Sequence, residues 1–273
     1  MGCYPLPRRR VILPFVLLAC PHTFPDGTPV SVRVVPGALA TEDLAFDAAG
    51  HVVGSDGEHL WRAVYGGAAE LWLPGLAAKG GMDGFDDGDL AVSEPEQGVV
   101  WRVSAEGGRE PVATGLTWPN GVAVDDAGAV WFTEPAEDRV WVADPVPRVV
   151  SEAIRAPNGV AFAPDGSVLV ASMYGDHPAW RLDPATGEVT QVGPTLPEVY
   201  GDGIAVAADG RVVLVDVEGH QVLALGDDGP DVLYADPARW MAGLARGSGL
   251  GGWDADRLYV SDQATHEVLE LAW

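Results

Sequence analysis

A short phrase recurs six times along the chain at intervals of about 40 residues, and it constrains the fold more than any other feature. Its clearest copies are NGVAVDDAGAVWFTE (Asn120–Glu134), NGVAFAPDGSVLVAS (Asn158–Ser172) and DGIAVAADGRVVLVD (Asp202–Asp216). Each copy contains two apolar runs separated by an Ala-Gly or Asp-Gly turn, which is typical of a β-hairpin. Self-similarity at this period is typical of propellers, solenoids and repeat arrays.

The remaining copies are less regular and lie at Glu42–Asp56, Met82–Glu94 and Ser248–Asp262. Helical periodicity is nowhere sustained, which disfavours helix-pair repeats. Four short strands per repeat, arranged radially, fit the spacing and leave only short sheet edges. The run Val30–Val35 has no partner of its own, and we expect it to complete the last blade. The sequence therefore predicts an all-β, six-bladed β-propeller over residues 30–273, closed by an N-terminal strand.

Composition limits the partners of this chain. Sixteen Lys and Arg against 40 Asp and Glu give a formal net charge of −24. Nucleic-acid binding requires a basic surface, so that class of function is excluded. A strongly acidic surface favours a dispersed monomer.

Residues 1–29 do not follow the repeat. Three arginines (Arg8–Arg10) precede the apolar run Val11–Ala19, which ends at Cys20. This order is typical of an export signal that is too short to span a membrane, and Leu17-Leu18-Ala19-Cys20 resembles a bacterial lipobox. We expect an exported protein, either periplasmic or anchored to a membrane by a lipid at Cys20. The alternative is a cytoplasmic protein with an overlong start or a disordered tail.

Polar residues lead four of the repeats, and they are the best clue to chemistry. The first strand of a propeller blade lines the central channel, so residues that begin these strands meet at one mouth. The four residues are Glu42, Asn120, Asn158 and Asp202. Carboxylate and amide oxygens suit a hard divalent cation. Singly, an Asn or Asp before Gly more often serves a turn; four in register favour a site.

Other side chains are weaker candidates. Trp118 and Tyr174 are expected to form the wall of a substrate pocket, whereas His177 and His220 lie in loops whose position the sequence leaves open. The acids beside the hairpin glycines are predicted to form turns. The acids that end the second strand of a repeat are expected to be exposed or to cap; they are Asp56, Glu94, Glu134, Asp216 and Asp262.

The leading set resembles that of the regucalcin/gluconolactonase family of six-bladed propellers, over roughly residues 30–273. This resemblance implies one divalent metal held by Glu42, Asn158 and Asp202, with Asn120 contacting substrate or metal-bound water. The cation could be Ca²⁺, Mg²⁺, Mn²⁺ or Zn²⁺. The chain differs from the family where Asp43 and Leu44 follow Glu42, since family members usually have Gly-Pro there.

The function implied is hydrolysis of a lactone or a related ester. The metal would act as a Lewis acid on the carbonyl. Asp202 would be both ligand and general base, and Asn120 would stabilise the developing oxyanion. Two alternatives remain open at this point. The phrase VWFTE is shared with virginiamycin B lyase-like propellers, and G-V-A-V-D is shared with non-catalytic NHL-type binding propellers.

Overall fold

The computed structural model describes residues 31–272. The predicted leader, including Cys20, lies outside these residues, and the export and lipid-anchor predictions stay untested. The described chain forms six four-stranded antiparallel sheets, which confirms the all-β, six-bladed propeller. Two short 3-10 helices, Pro95–Gln97 and Pro135–Glu137, follow the second strands of blades two and three. Within the described part of the chain, no helix has the length and hydropathy needed to cross a membrane.

In blades one to five the strands follow chain order from the channel outwards. Blade one contains β2 (Leu44–Phe46), β3 (Val52–Ser55), β4 (His59–Ala63) and β5 (Glu70–Pro74). Blade two contains β6 (Met82–Gly84), β7 (Leu90–Glu94), β8 (Val99–Val103) and β9 (Arg109–Thr114). Blade three contains β10 (Val122–Val124), β11 (Val130–Glu134), β12 (Arg139–Asp144) and β13 (Val146–Ser151). Blade four contains β14 (Pro157–Phe162), β15 (Val168–Ser172), β16 (Ala179–Leu182) and β17 (Val189–Gln191). Blade five contains β18 (Gly201–Val206), β19 (Val212–Asp216), β20 (Gln221–Gly226) and β21 (Gly229–Ala235).

Blade six joins the two ends of the described chain. It contains β22 (Met241–Arg246), β23 (Leu258–Asp262), β24 (Glu267–Ala272) and, outermost, β1 (Ser31–Val34). Strand β1 runs antiparallel to β24, with Ser31 opposite Ala272 and Val34 opposite Leu269. The pairing confirms the predicted N-terminal closing strand, and it covers an edge of β24 that would otherwise be free to pair elsewhere.

Blades two and six correct the predicted repeat boundaries. The sixth copy was expected to begin at Ser248, but its inner strand is β22, and Ser248 lies in the long connection between β22 and β23. The Gly-rich sequence of this connection imitates a hairpin turn. By strand register Leu244 is equivalent to Ile204, and Met82 is equivalent to Val122. The residues that lead blades two and six are therefore Gly80 and Ala242, not Met82 and Ser248.

The core lies between neighbouring blades, whose apolar faces stack on one another. Trp131 and Val142 of blade three, for example, pack against Val168 and Val170 of blade four. Blade six meets blade one through an aromatic cluster in which the fully buried Trp253 lies 5.3 Å from Phe46 and 5.1 Å from Tyr65, between ring centroids. Burial of these faces is the main favourable contribution to folding.

Glycines allow the inner strands to approach one another at the channel. A Cβ atom on Gly121 would lie 2.2 Å from the carbonyl oxygen of Asn158, and one on Gly159 would lie 2.2 Å from that of Asp202. Such distances are far shorter than van der Waals contact. The packing between blades therefore requires glycine at both positions. The glycine of the repeated phrase thus places the next blade's leading residue.

The acids that end the second strands are expected from the sequence to be exposed or to cap. The structure shows that they are not exposed. Glu94, Glu134, Asp216 and Asp262 are buried, and each accepts a backbone N–H from the loop that leads to its own blade's inner strand. Each also accepts from a side-chain donor on a neighbouring segment; Glu134, for example, accepts from the indole of Trp141 at 3.0 Å. The capping interpretation is correct for these four residues. Satisfied hydrogen bonds make the burial of a carboxylate tolerable.

Candidate metal centre

The four leading residues occupy one register position in their blades. Glu42, Asn120, Asn158 and Asp202 each lie two residues before the same register position, which is occupied by Leu44, Val122, Val160 and Ile204 in blades one, three, four and five. Because the inner strands run side by side around the channel, these positions lie at the same mouth, called here the strand-start mouth. The structure thus brings the predicted residues to one end of the channel.

Buried hydroxyl groups fix three of these residues from the preceding blade. Ser93 and Thr133 donate from their side chains to the carbonyl oxygens of Asn120 and Asn158, both at 2.6 Å. Ser261 of blade six donates in the same way to the carbonyl oxygen of Glu42, at 2.7 Å. The second-strand Ser or Thr of the repeat, visible in sequence as VSE, FTE and VSD, is therefore a positioning group for the next blade.

Asn158 has an unusual side chain. It is only 2% exposed, and its Oδ1 atom has no hydrogen-bond partner. Its amide N–H donates to the carboxylate of Asp202. A buried amide oxygen without a partner loses the free energy of its hydration, about 1–3 kcal/mol. The orphaned atom, next to a carboxylate at a channel mouth, therefore needs a ligand of positive charge or a hydrogen-bond donor.

The carboxylates of this mouth are held in an unfavourable environment. Burial, together with the charge of Asp43, raises the pKa of Glu42 to about 7. Burial, together with the charge of Glu42, raises the pKa of Asp202 well above its usual range, while the Asn158 hydrogen bond opposes this shift. A cation between the two carboxylates would favour their ionised forms.

A glutamine that sequence reasoning missed orients Glu42. Gln263, in the connection between β23 and β24, donates a side-chain hydrogen bond to Oε2 of Glu42. It follows Asp262 directly, and the backbone N–H of Gln263 donates to the carbonyl oxygen of Trp240 at 2.8 Å. The leading residue of blade six is Ala242, which has no polar side chain. Blade six contributes to the site through Gln263, which directly follows its second strand. No signal in the repeat indicates it, because no other copy has an equivalent residue in the same role.

Two further carboxylates lie deeper in the channel. Asp43 stands where the other five blades have glycine, and it accepts backbone N–H groups from Leu44 and from Met82 of the next blade, at 2.8 and 3.2 Å. Asp83 likewise accepts from Gly84 and from Val124 of blade three, both at 2.8 Å. Each acid therefore fastens one blade to the next. Burial raises the pKa of Asp43 to about 7 and that of Asp83 to about 6.

The channel contains a cavity of about 1010 Å³. Its lining includes Asp43, Asp83 and a layer of alanines at the register of Asp83 in the other blades: Ala45, Ala123, Ala161, Ala205 and Ala245. Asp47 and Asp125 lie on the lining at the opposite mouth and accept backbone N–H groups of their own turns. This confirms their predicted role as turn formers.

The predicted pocket residues lie around the strand-start mouth. Trp118 is 42% exposed and Tyr174 is 54% exposed. Asn120 is partly buried. His220 stands edge-on to Trp240, with ring centroids 5.4 Å apart, and His177 stands edge-on to Trp180 at the same distance. Both histidines lie in loops that follow the second strands of their blades, and each packs against a tryptophan. Neither contacts the leading carboxylates.

The oxygen set at the mouth fits a divalent cation. Glu42, Asn158 and Asp202 offer two carboxylates and an amide oxygen, and the amide oxygen is the buried atom that lacks a partner. Among residues 31–272 no group of three or more His, Cys, Asp and Glu side chains is arranged to hold a metal. The fit therefore depends on Asn158 as well as on the acids.

A β-propeller with an oxygen-lined channel mouth is the class that fold and site define. No protein-family model and no curated protein matches the chain. Solved structures do: a gluconolactonase from Xanthomonas campestris has a TM-score of 0.74 at 19% identity, with 89% of each chain covered. A presumed gluconolactonase has a TM-score of 0.71 at 23% identity, with 92% of this chain and 93% of the other covered. Virginiamycin B lyase from Staphylococcus aureus has a TM-score of 0.65 at 12% identity, with 89% and 99% covered. These likenesses show the propeller fold.

Proposed function

We propose that the protein is a divalent-metal-dependent hydrolase of a lactone or related carboxylic ester, in the regucalcin/gluconolactonase family. The observation that carries the proposal is the buried, unpartnered Oδ1 of Asn158 beside the Asp202 carboxylate. Glu42, Asn158 and Asp202 would hold the cation, which supplies Lewis acidity toward the carbonyl. The gluconolactonase structures of similar fold support this reaction class over the binding-module alternative.

The chain's own groups have distinct tasks in this reaction. Asp202, as an ionised carboxylate beside the cation, would take the proton of the attacking water as general base. Asn120 donates its amide N–H to the oxygen on which negative charge develops. Glu42, oriented by Gln263, supplies the second negative charge of the site. The substrate partner is a small molecule, and the protein acts as a monomer.

Metal content and turnover test the proposal together. We expect the wild-type chain to bind about one divalent ion, measured by calorimetric titration, and to hydrolyse members of a lactone and ester panel. Asp202→Ala and Glu42→Ala should lose both properties. Asp47→Ala, a turn acid at the opposite mouth, is the control and should keep both. Metal binding and hydrolysis that survive both site variants would refute the assignment.

A lyase is the second candidate, supported by the similarity in fold to virginiamycin B lyase. The two reactions differ in their products. Hydrolysis in H₂¹⁸O places one heavy oxygen in the product acid, whereas elimination forms a carbon–carbon double bond and incorporates none. Mass spectrometry of the product therefore decides between them.

A further inference from the structure

Three blades have an aromatic residue, and the other three have alanine, at a register position close to the candidate metal centre. This position lies two residues before the leading position of each blade. Blades one, two and four have alanine there, and these alanines are buried: Ala40, Ala78 and Ala156. Blades three, five and six have Trp118, Tyr200 and Trp240. Both tryptophans are 42% exposed, which is a large fraction for such side chains.

Neighbouring side chains hold the rings of Tyr200 and Trp240 in place. Tyr174 stands edge-on to Tyr200, with ring centroids 5.4 Å apart and an interplanar angle of 90°. The hydroxyl of Tyr200 donates to the sulfur of Met173 at 2.8 Å. His220 supports Trp240 edge-on, and the Nδ1 atom of that histidine lies 2.6 Å from the carbonyl oxygen of Arg239. Exposed rings with fixed partners form a surface whose ordering is complete before a ligand arrives, which favours binding.

We propose that Trp118, Tyr174, Tyr200 and Trp240 form an aromatic rim that binds the apolar part of an uncharged lactone or ester. The inference rests on the proposed function, because it names the substrate class of that site. Trp118, Tyr200 and Trp240 lie two residues before the leading positions of their blades, so a substrate carbonyl at Asp202 would place the rest of the substrate against these rings. Aromatic faces favour apolar and aryl groups.

The net charge of the chain further restricts the class of substrate. The whole chain has a formal net charge of −24. This net charge disfavours the approach of substrates that carry a carboxylate or a phosphate. The substrate class that fits both the aromatic rim and the net charge is a neutral lactone with an aryl or alkyl group.

Two lactones of similar size and opposite polarity test the substrate class. With the metal-loaded full chain we expect kcat/KM for dihydrocoumarin to exceed that for glucono-δ-lactone by about tenfold or more. Full burial of an aromatic group contributes about 1.5–3 kcal/mol, and about 1.4 kcal/mol corresponds to a factor of ten. Trp118→Ala, Tyr174→Ala and Trp240→Ala should each raise the KM for dihydrocoumarin by about three- to tenfold with little change in kcat. Alanine already stands at the equivalent position in three blades, so the tryptophan variants are expected to fold.

A binding measurement tests the aromatic rim independently of hydrolysis. The lactam 3,4-dihydroquinolin-2-one has the shape of dihydrocoumarin and resists hydrolysis, and its affinity is measured by calorimetry. The three variants should weaken lactam binding, whereas Leu71→Ala, an exposed apolar residue on the outermost strand of blade one, should leave it unchanged. A preference for glucono-δ-lactone, or lactam affinities equal in wild type and all three variants, would overturn the rim. If no member of the lactone and ester panel is hydrolysed, the proposed function fails, and lactam binding alone decides whether the rim is an apolar ligand site.

Discussion

Asp83 provides a quantitative test of the electrostatics inside the channel. It lies in a layer where the other five blades have alanine, and burial raises its pKa from 3.8 to about 6. The folded protein therefore holds this proton more tightly than the unfolded chain does. The resulting contribution to stability is complete below pH 3.8 and is lost as the pH rises to about 6. A difference of about two pH units corresponds to about 3 kcal/mol, which is an upper limit for the loss.

The substitution Asp83→Asn removes this titration and nearly preserves the shape of the side chain. One oxygen remains to accept from Gly84 or Val124, and the other backbone N–H loses its acceptor at a cost of about 1–3 kcal/mol. That cost does not depend on pH. The difference in unfolding free energy, variant minus wild type, should therefore increase by up to about 3 kcal/mol between pH 3.5 and pH 8.

Urea denaturation in the presence of a chelator, repeated across this pH range, measures the difference. Asp86→Asn is the matched control, because Asp86 lies in the same blade and is exposed. Its stability curve should remain parallel to that of the wild type. A constant difference between Asp83→Asn and wild type at every pH would refute the reasoning, since it would mean that Asp83 titrates alike in the folded and unfolded chains.

Three further substitutions test the contacts that position the candidate site. Glu134→Ala deprives Thr117 and Trp141 of a buried acceptor and should lower the unfolding free energy by about 3 kcal/mol in chemical denaturation; a loss below about 0.5 kcal/mol would contradict the capping role. Gly159→Ala places a methyl group 2.2 Å from the carbonyl oxygen of Asp202 and should destabilise the fold by about 3 kcal/mol or more, so a wild-type melting temperature would contradict the packing argument. Gln263→Ala frees Glu42 and should weaken divalent-metal binding by about 10- to 100-fold in calorimetry without unfolding the protein, whereas unchanged affinity would remove Gln263 from the site.

Local signals predicted most of the fold. Each hairpin depends on an Asp-Gly or Ala-Gly turn and on short apolar runs, and these are properties of neighbouring residues. The closing strand was predicted for a related reason, because an unpaired run and an incomplete last repeat complement each other. The sixth repeat was misplaced since the Gly-rich connection around Ser248 has the composition of a turn without forming the repeat's own hairpin.

The candidate site was predictable only where it follows the repeat. Glu42 and Asp202 share a register that sequence spacing alone indicates. Gln263, Asp43 and Asp83 were not identified, because each acts on a neighbouring blade and interblade contacts leave no periodic signal. The sequence leaves open whether Glu134 is exposed or caps a neighbouring segment. Its burial depends on hydrogen bonds from the indole of Trp141 and the backbone N–H of Thr117, which the sequence does not show.

The closing strand makes the described chain almost circular in space. Strand β1 completes a sheet whose other three strands come from the opposite end of the sequence, and Ser31 lies directly across from Ala272. A short peptide could therefore join these two positions, and new termini could be opened between β5 and β6 without dividing any blade. Such a circular permutant would keep every strand pairing of the propeller, but no blade would draw its strands from both ends of the chain. The point at which the polypeptide starts is thus independent of the propeller's architecture, because the cyclic order of blades around the channel stays the same.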